Sequence, residues 1–236
     1  MAGERYKPYK VSAAYHAQAA LKPTWTDVEG WRMPETFGDP AEEASRTRRG
    51  VGLQDVSALG KLDVKGTAID GRLSECERLE GVRAVLHQKP GHAMVLTAPG
   101  CEAAVRGVIA DVSAGSPGCA HITDVTSGLT ALALVGPHAT GVLAGLTWID
   151  LRPQTFADQT SVTCSLAQVH ATIYRSDWGD VPGYVLLVGR DVGEYLWTTI
   201  QHAGEKLGLT PFGTAAERLL RDALVRPREH VISAKI

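Results

Sequence analysis

Alternating apolar and polar positions predict a strand in the stretch LGKLDVK, residues 59–65. Leu62 and Val64 point to one side of this stretch, whereas Lys61 and Asp63 point to the other. This period of two is typical of a strand with one buried face. The polar side of the strand therefore either lines a cavity or faces solvent.

The same order of predicted elements occurs twice along the chain. A strand, a helix, two strands and a helix follow one another over residues 59–112 and again over residues 129–208. Gly66 and Gly136 close the first strand of each unit and lie 136 − 66 = 70 residues apart. Two β-α-β-β-α units predict an α+β fold of two ferredoxin-like plaits. The second unit is longer, with an insertion around residues 153–169.

Helical periodicity predicts the helices of the first unit. The first spans residues 67–81, because Ile69 and Cys76 fall on one apolar face with a period near 3.6. The second spans residues 100–112 and includes Val108 among its apolar positions.

The two ends of the chain form a lead-in and a closing segment. Residues 1–50 read as an arm of loop composition, but its aromatic residues Trp25, Trp31 and Phe37 must be buried, which predicts an ordered segment lying over a core or a ligand mouth. A helix begins in this arm with Asp39 as its N-cap and Pro40 at its first position. At the other end, residues 213–226 form an amphipathic helix that turns Leu219, among other apolar residues, inward.

Composition narrows the class of protein. The chain has 236 residues, 44% hydrophobic, with a net charge of −2, so it predicts a soluble globular protein without a footprint for nucleic acid. No apolar stretch approaches the roughly 18 residues that span a bilayer. We expect no membrane association and, without a hydrophobic leader, a cytoplasmic location. The four cysteines form no CxxC pair, and we expect no metal site.

Four stretches together resemble the aminomethyltransferase family, which includes the glycine-cleavage T-protein, tetrahydrofolate-dependent demethylases and the gamma subunit of sarcosine oxidase. They occur in the order of the family pattern across most of the chain. These stretches are GWRMPETFG, VGLQDVSALGKLDVKG, DVTSGLTALALVGPHATGVLAGL and PFGTAAERLLRDA.

The resemblance implies a fold and a cofactor. It implies that the two plaits stand in a pseudo-twofold arrangement around a central hole in which tetrahydrofolate sits. It covers one folate-binding unit over residues 1–236, with plait copies at about residues 55–115 and 122–210. The resemblance thus implies the folate-binding part alone, and we expect no counterpart of the C-terminal barrel domain of full-length T-proteins.

Several positions match residues that bind folate in the family. Arg221 matches an arginine that reaches the folate tail, and a guanidinium suits a carboxylate. Leu59 takes the place of a methionine beside the pterin. A core leucine and a surface arginine are the ordinary alternatives for these two residues. The other matching positions are Arg175, Trp178 and Tyr184.

The chain departs from the family pattern at two important points. The glutamate that hydrogen-bonds the pterin falls on Val181, and valine cannot accept a hydrogen bond. Asp180 would replace it only if the loop shifts. The catalytic aspartate of the family has no match, because the stretch between Gly66 and Pro99 is too short to hold it.

Asp63 is the candidate for the missing acid or base. It stands where the family has a leucine facing the cavity. An isolated carboxylate in such a hole would have a raised pKa and could move protons. The alternative is a solvent-facing carboxylate beside two lysines.

Three functions remain compatible with the sequence. The first is a tetrahydrofolate-dependent one-carbon transferase acting on a small methylated donor, with Asp63 as its catalytic residue. The second is a non-catalytic subunit that resembles sarcosine oxidase gamma and binds other protein subunits. The third is a folate-type pocket reused for another small molecule.

Overall fold

The computed structural model describes residues 9–69, 72–114 and 118–225, without the side chains of residues 73, 74 and 223–225. The helices are α1 Tyr15–Ala20, α2 Pro40–Arg49, α3 Leu73–Cys76, α4 Glu102–Ala114, α5 Ala139–Ala144, α6 Gly193–Gly204 and α7 Thr214–Val225. The strands are β1 Thr24–Val28, β2 Trp31–Thr36, β3 Gly52–Asp55, β4 Gly60–Lys65, β5 Val82–Lys89, β6 His92–Thr97, β7 His121–Asp124, β8 Leu129–Val135, β9 Ser161–Leu166, β10 Val169–Arg175, β11 Gly183–Gly189 and β12 Thr210–Pro211.

The first unit forms a four-stranded antiparallel sheet in the order β5-β6-β4-β7. With α3 and α4 as its connections, this is the ferredoxin-like β-α-β-β-α-β arrangement. Leu62 and Val64 pack on one face against Ile69, Val105 and Ile109. The predicted strand and its buried face are therefore confirmed.

The second unit forms a six-stranded sheet in the order β12-β3-β8-β11-β10-β9. The strands β8, β10 and β11 with helices α5 and α6 repeat the first unit. The fourth position of this plait, beside β8, is filled by β3, which precedes the first unit in the chain. The structure is thus a mixed α/β fold with ferredoxin-like sheets.

The chain passes between the sheets at two short turns. One turn joins β3 to β4 and the other joins β7 to β8. Oδ1 of Asp55 accepts from the backbone N–H of Ser57, and Oδ1 of Asp124 accepts from that of Thr126, both at 2.9 Å. The predicted pseudo-twofold arrangement of the whole units stays a prediction, which these matching turns support.

Two layers of helices enclose the two sheets. The apolar side of the six-stranded sheet packs on α5 and α6, where Leu196, Trp197 and Ile200 are fully buried. The opposite side packs on the four-stranded sheet, where Leu96 and Leu187 belong to one apolar cluster. We call the side of each sheet that points to the other sheet its inner face.

The arm covers the first of the two turns. Strands β1 and β2 form a hairpin, and Trp31 and Met33 of this hairpin are buried against Ala58. The predicted start of α2 is confirmed, because Asp39 accepts a hydrogen bond from the backbone N–H of Glu42.

Several local predictions were wrong. The helix over residues 67–81 is broken into a 3-10 turn and the four-residue α3. The insertion over residues 153–169 contains β9, whose alternation was not recognised. Val108 is 39% exposed and Leu219 is 45% exposed, so neither contributes to a core.

Candidate functional site

The closing helix α7 covers part of the inner face of the six-stranded sheet. We call the residues that it brings together the closing-helix cluster. Its apolar members are Ala133, Val135, Trp178, Val181, Phe212, Ala216 and Leu220. Of the predicted inward residues of α7, Ala216 and Leu220 are buried in this cluster, whereas Leu219 is exposed.

Two of the predicted cofactor-binding residues meet in the closing-helix cluster. The guanidinium carbon of Arg221 lies 4.1 Å from the centre of the Trp178 ring. Nε of Arg221 donates to Oε1 of Glu217 at 2.9 Å, and Trp178 packs edge-to-face on Phe212 with ring centres 6.0 Å apart. The arginine side chain is still 54% exposed. A planar cation is therefore held in one orientation while keeping a solvent-facing edge.

Gln54 joins this cluster, although the sequence analysis did not select it. Its Nε2 donates to Oε2 of Glu217 at 2.7 Å, which links it to Arg221. Its Oε1 is buried and has no hydrogen-bond partner among the described residues. A buried acceptor without a donor is unfavourable by about 1–3 kcal/mol, so a ligand N–H would relieve it. The sequence carries no local signal for this role, because Leu53 and Asp55 flank Gln54 and its partner Glu217 lies 163 residues further along the chain.

Arg175 has a different role in the structure. It is buried, and its guanidinium donates to Asp177 and to the carbonyl oxygen of Phe156. The hydrogen bonds with Asp177 raise the pKa of Arg175 despite its burial. With its donors used in this way, Arg175 holds the loop that carries Trp178.

The structure does not bring Tyr184 to the closing-helix cluster. Tyr184 is paired with Leu134 and lies in the core between the six-stranded sheet and its helices. Its hydroxyl donates to the carbonyl oxygen of Leu151 at 2.8 Å, and burial raises its pKa. Asp180 is exposed on the loop after Trp178.

Leu59 lies in the turn between β3 and β4 and is partly exposed. Its backbone N–H donates to the carbonyl oxygen of Val56 at 3.0 Å. Val56 contacts both the closing-helix cluster and the apolar cluster between the sheets. Leu59 is therefore close in sequence to the boundary between these two clusters, and its contact with a pterin stays a prediction.

Asp63 lies on the inner face of the four-stranded sheet but is not isolated. Its Oδ1 is 2.6 Å from Nε2 of His92, and its Oδ2 accepts from Nζ of Lys65 at 2.5 Å. Burial raises the pKa of Asp63, but the hydrogen bonds from Lys65 and His92 outweigh it, so that the pKa is lowered. This direction is opposite to the raised pKa that we expected for an isolated carboxylate, while the catalytic role of Asp63 stays a prediction.

Lys61, which the solvent-facing alternative for Asp63 would place on a charged edge, is fully buried. Its Nζ donates to the carbonyl oxygens of Ser57 and Thr126, at 2.8 and 3.3 Å, and lies 6.0 Å from the Trp31 ring centre. Burial lowers the pKa of Lys61 to about 8, against a smaller opposing effect from Asp55. That alternative does not hold for Lys61, because the arm and the second turn cover this end of β4.

Glu43 connects the arm to the closing helix. Its Oε1 accepts from Thr36 Oγ1 and from the backbone N–H groups of Phe37 and Gly38, at 2.6 to 2.8 Å. Its Oε2 accepts from the backbone N–H of Gly213 at 2.9 Å, directly before α7. One buried carboxylate therefore fixes the position from which α7 starts.

The chain thus has an α/β fold of two ferredoxin-like sheets, which are joined by short turns and have one inner face covered by a helix. In agreement with this fold, residues 83–223 match the family described as the GCVT N-terminal domain. This match covers more than half of the chain, and the chain belongs to that family.

The chain is similar in sequence to an aminomethyltransferase and to a dimethylglycine dehydrogenase. The chain is 29% identical over 226 residues to an aminomethyltransferase of Streptomyces coelicolor, covering 86% of this chain and 59% of the relative. It is 25% identical over 240 residues to the mitochondrial dimethylglycine dehydrogenase of Rattus norvegicus, covering 90% and 28%. The chain thus spans just over half of the first relative and about a quarter of the second.

Solved structures show the same fold. The aminomethyltransferase T of the Bartonella henselae glycine cleavage system superimposes with a TM-score of 0.70 at 18% identity, covering 90% of this chain and 62% of that chain. A chain of heterotetrameric sarcosine oxidase from Corynebacterium sp. U-96 gives a TM-score of 0.60 at 19% identity, covering 84% and 96%.

Two further properties concern the described residues only. No helix among them has the length and apolar character needed to cross a membrane. No group of three or more histidine, cysteine, aspartate or glutamate side chains in this part of the chain is placed to hold a metal ion.

Proposed function

We propose that this chain binds tetrahydrofolate and transfers a one-carbon unit from a small methylated donor. The family membership and the aminomethyltransferase and dimethylglycine dehydrogenase names of its relatives support this proposal. Both names concern amines that carry one-carbon groups. Tetrahydrofolate, when bound, would supply the nitrogen that accepts the one-carbon unit, and the protein would supply binding and orientation.

The residues of the closing-helix cluster fit such a cofactor. Arg221 would hold a carboxylate of the folate tail through its exposed donors. Gln54 and Arg221 are bonded to the same Glu217 carboxylate, so Oε1 of Gln54 would accept an N–H from the same part of the ligand, such as the amide beside the tail carboxylate. Trp178 holds Arg221 in place through its ring face.

The stacking of Arg221 on the buried Trp178 carries the proposal. An arginine that is free in solvent samples many rotamers, and fixing it on binding costs free energy. Here the Trp178 ring and Glu217 have already fixed it before a ligand binds. A preorganised cation beside an unpartnered acceptor suits a ligand that carries both a carboxylate and an N–H donor.

Anaerobic calorimetric titration with tetrahydrofolate tests the proposal. We expect micromolar affinity in the native chain and at least about a tenfold loss in Arg221→Ala, since a charge-assisted hydrogen bond contributes about 1.5–3 kcal/mol. Arg218→Ala is the matched control, because Arg218 is an exposed arginine on the same helix. Equal losses of affinity in both variants would indicate that binding depends on the net charge of α7 and not on a contact with Arg221. No binding at millimolar tetrahydrofolate would contradict the proposal and favour a reused pocket.

A second candidate is a partner subunit without its own catalysis. Trp148 is 90% exposed in the segment after α5, and exposed tryptophans are frequent anchors of protein interfaces. Sedimentation of the purified chain tests this candidate. Concentration-dependent association that Trp148→Ser removes would support it, whereas a monomer with tetrahydrofolate affinity would favour the transferase.

A further inference from the structure

Strand β7 is an edge strand whose outer side is unpaired in the part of the chain that the structure describes. It pairs with β4 alone and stands last in the order β5-β6-β4-β7. The backbone N–H of Val125 donates to the carbonyl oxygen of Lys61, the residue opposite it. Because the hydrogen-bonding direction alternates along a strand, Thr123 also points to β4, whereas Ile122 and Asp124 point away from it. The backbone N–H and C=O groups of these two residues form an open edge.

A groove lies beside this edge, between β7 and helix α4. Helix α4 packs on the face of the four-stranded sheet that points away from the six-stranded sheet. The groove has a volume of about 580 Å³, with Ala103, Gly107 and Ala110 on its helix side and Ala120 and Ile122 on its strand side. Helix side chains of this size leave room for a further strand next to β7.

Of the described residues that line the groove, Arg106 alone is charged. It is exposed on α4, and no described residue forms a hydrogen bond or an ion pair with it. A cation without a partner favours an occupant that carries a carboxylate. An edge that offers both N–H and C=O groups favours an occupant with an extended backbone. Both properties together are those of an acidic peptide segment.

We propose that an extended, acidic peptide segment of a partner protein adds as a fifth strand to β7 and places a carboxylate on Arg106. Its backbone exchanges hydrogen bonds with Ile122 and Asp124, and alternate apolar side chains enter the groove beside α4. The groove lies on the opposite side of the four-stranded sheet from its inner face, so the segment leaves the closing-helix cluster free. The inference goes beyond the proposed function and does not depend on it.

A phage-displayed library of random linear peptides tests the charge requirement. Selection on the native chain should enrich peptides with an aspartate or glutamate among alternating apolar residues. A synthetic peptide of this kind should bind Arg106→Glu at least about fivefold more weakly, and a lysine in place of its acidic residue should restore binding to that variant. Arg83→Glu is the matched control, because Arg83 is exposed on β5 at the other edge of the same sheet. No enrichment, or equal affinity for the native chain and Arg106→Glu, would overturn the proposal.

Filling the groove tests its position. A Cβ atom at Gly107 would meet no atom outside its own helix within 4 Å, so Gly107→Leu should fold and extend into the groove. Peptide affinity should fall at least about tenfold in this variant. Ala104→Leu is the control, because Ala104 is exposed on α4 and does not line the groove. Equal peptide affinities of the two leucine variants would overturn the proposed site.

Amide hydrogen exchange tests the addition of a strand. In the free chain the N–H groups of Ile122 and Asp124 should exchange fast and that of Thr123 slowly, and bound peptide should slow the first two. Unchanged exchange at Ile122 and Asp124 in the complex would overturn the proposal. Self-association without peptide that Gly107→Leu removes, measured by sedimentation, would assign the groove to a second copy of the chain and also overturn it. The tetrahydrofolate affinity of Gly107→Leu should equal that of the native chain, which keeps this test separate from the proposed function.

Discussion

The backbone N–H of Lys61 donates to Oγ1 of Thr126 at 3.0 Å, although 65 residues separate them. The reverse connection also exists, because the backbone N–H of Ala131 donates to Oγ of Ser57 at 3.1 Å. Thr126 lies in the turn between β7 and β8 and accepts from β4, the strand that follows the first turn. Ser57 lies in the turn between β3 and β4 and accepts from β8, the strand that follows the second turn. The two sheets are thus joined by two reciprocal hydrogen bonds at the places where the chain crosses between them.

Removing one of these hydroxyls should destabilise the whole chain. In Thr126→Val the buried N–H of Lys61 loses its acceptor, and we expect the free energy of unfolding to fall by about 1–3 kcal/mol. Thr126→Ser keeps the hydroxyl and should lose less than half of that amount. Urea denaturation at pH 7 measures both variants. Equal stability of the valine variant and the native chain would show that the reciprocal bond is not important.

Much of the fold could be predicted because its causes are local. The alternation in β4 and the cap of α2 depend on a few neighbouring residues. The position of β3 beside β8 in the six-stranded sheet could not be predicted, since a buried strand has the same sequence pattern in either sheet. The burial of Lys61 was missed for a related reason, because distant segments, the arm and Thr126, cover it.

The candidate site was predictable only in part. Trp178 and Arg221 were selected through a resemblance, and the structure brings them together. Gln54 was not selected, because its contact with Glu217 depends on a helix far along the chain. Tyr184 has the expected sequence position but lies on the opposite face of its strand.

Glu43 should be far more important for stability than its neighbour Glu42. Glu43→Gln places an NH₂ group among N–H and O–H donors of Thr36, Phe37, Gly38 and Gly213. We expect a loss of roughly 3 kcal/mol in the free energy of unfolding, because hydrogen bonds to a charged group contribute about 1.5–3 kcal/mol each.

Glu42→Gln is the control for this prediction. Glu42 makes an exposed ion pair with Arg46 on the same helix, and such pairs contribute less than about 1 kcal/mol. Similar losses in the two variants, measured by urea denaturation, would contradict the role of Glu43 in fixing the start of α7.

Gln54→Leu should weaken tetrahydrofolate binding without unfolding the chain. The substitution removes the unpartnered Oε1 that we assign to a ligand N–H and also the donor to Glu217. We expect about a tenfold loss of affinity, corresponding to about 1.4 kcal/mol. Calorimetry gives the affinity, and circular dichroism checks the fold. Unchanged affinity would exclude Gln54 from the ligand contacts and leave the Arg221 prediction untouched.

Lys61 should make stability depend on pH in the alkaline range. Burial lowers its pKa from 10.5 to about 8, and the opposing charges of Asp55, Glu102 and Asp124 reduce this effect only in part, while Arg190 adds to it. Between pH 8 and 10.5 the unfolded chain holds the lysine proton that the folded chain has released. The unfolded state therefore binds more protons, and the free energy of unfolding rises with pH across this window, by about 3 kcal/mol in total.

Comparison of the native chain with Lys61→Met isolates this effect. Methionine has a similar length but no titratable group, so the stability difference between the two proteins should shift in favour of the native chain by about 3 kcal/mol between pH 7.5 and 10.5. Taking this difference removes the contributions of Cys76, Cys164 and Tyr174, whose pKa values burial raises. The exposed Lys65→Met is the control and should show no such shift. A constant difference between native and Lys61→Met proteins across this range would mean that Lys61 keeps its proton in the fold, held by the carbonyl oxygens of Ser57 and Thr126.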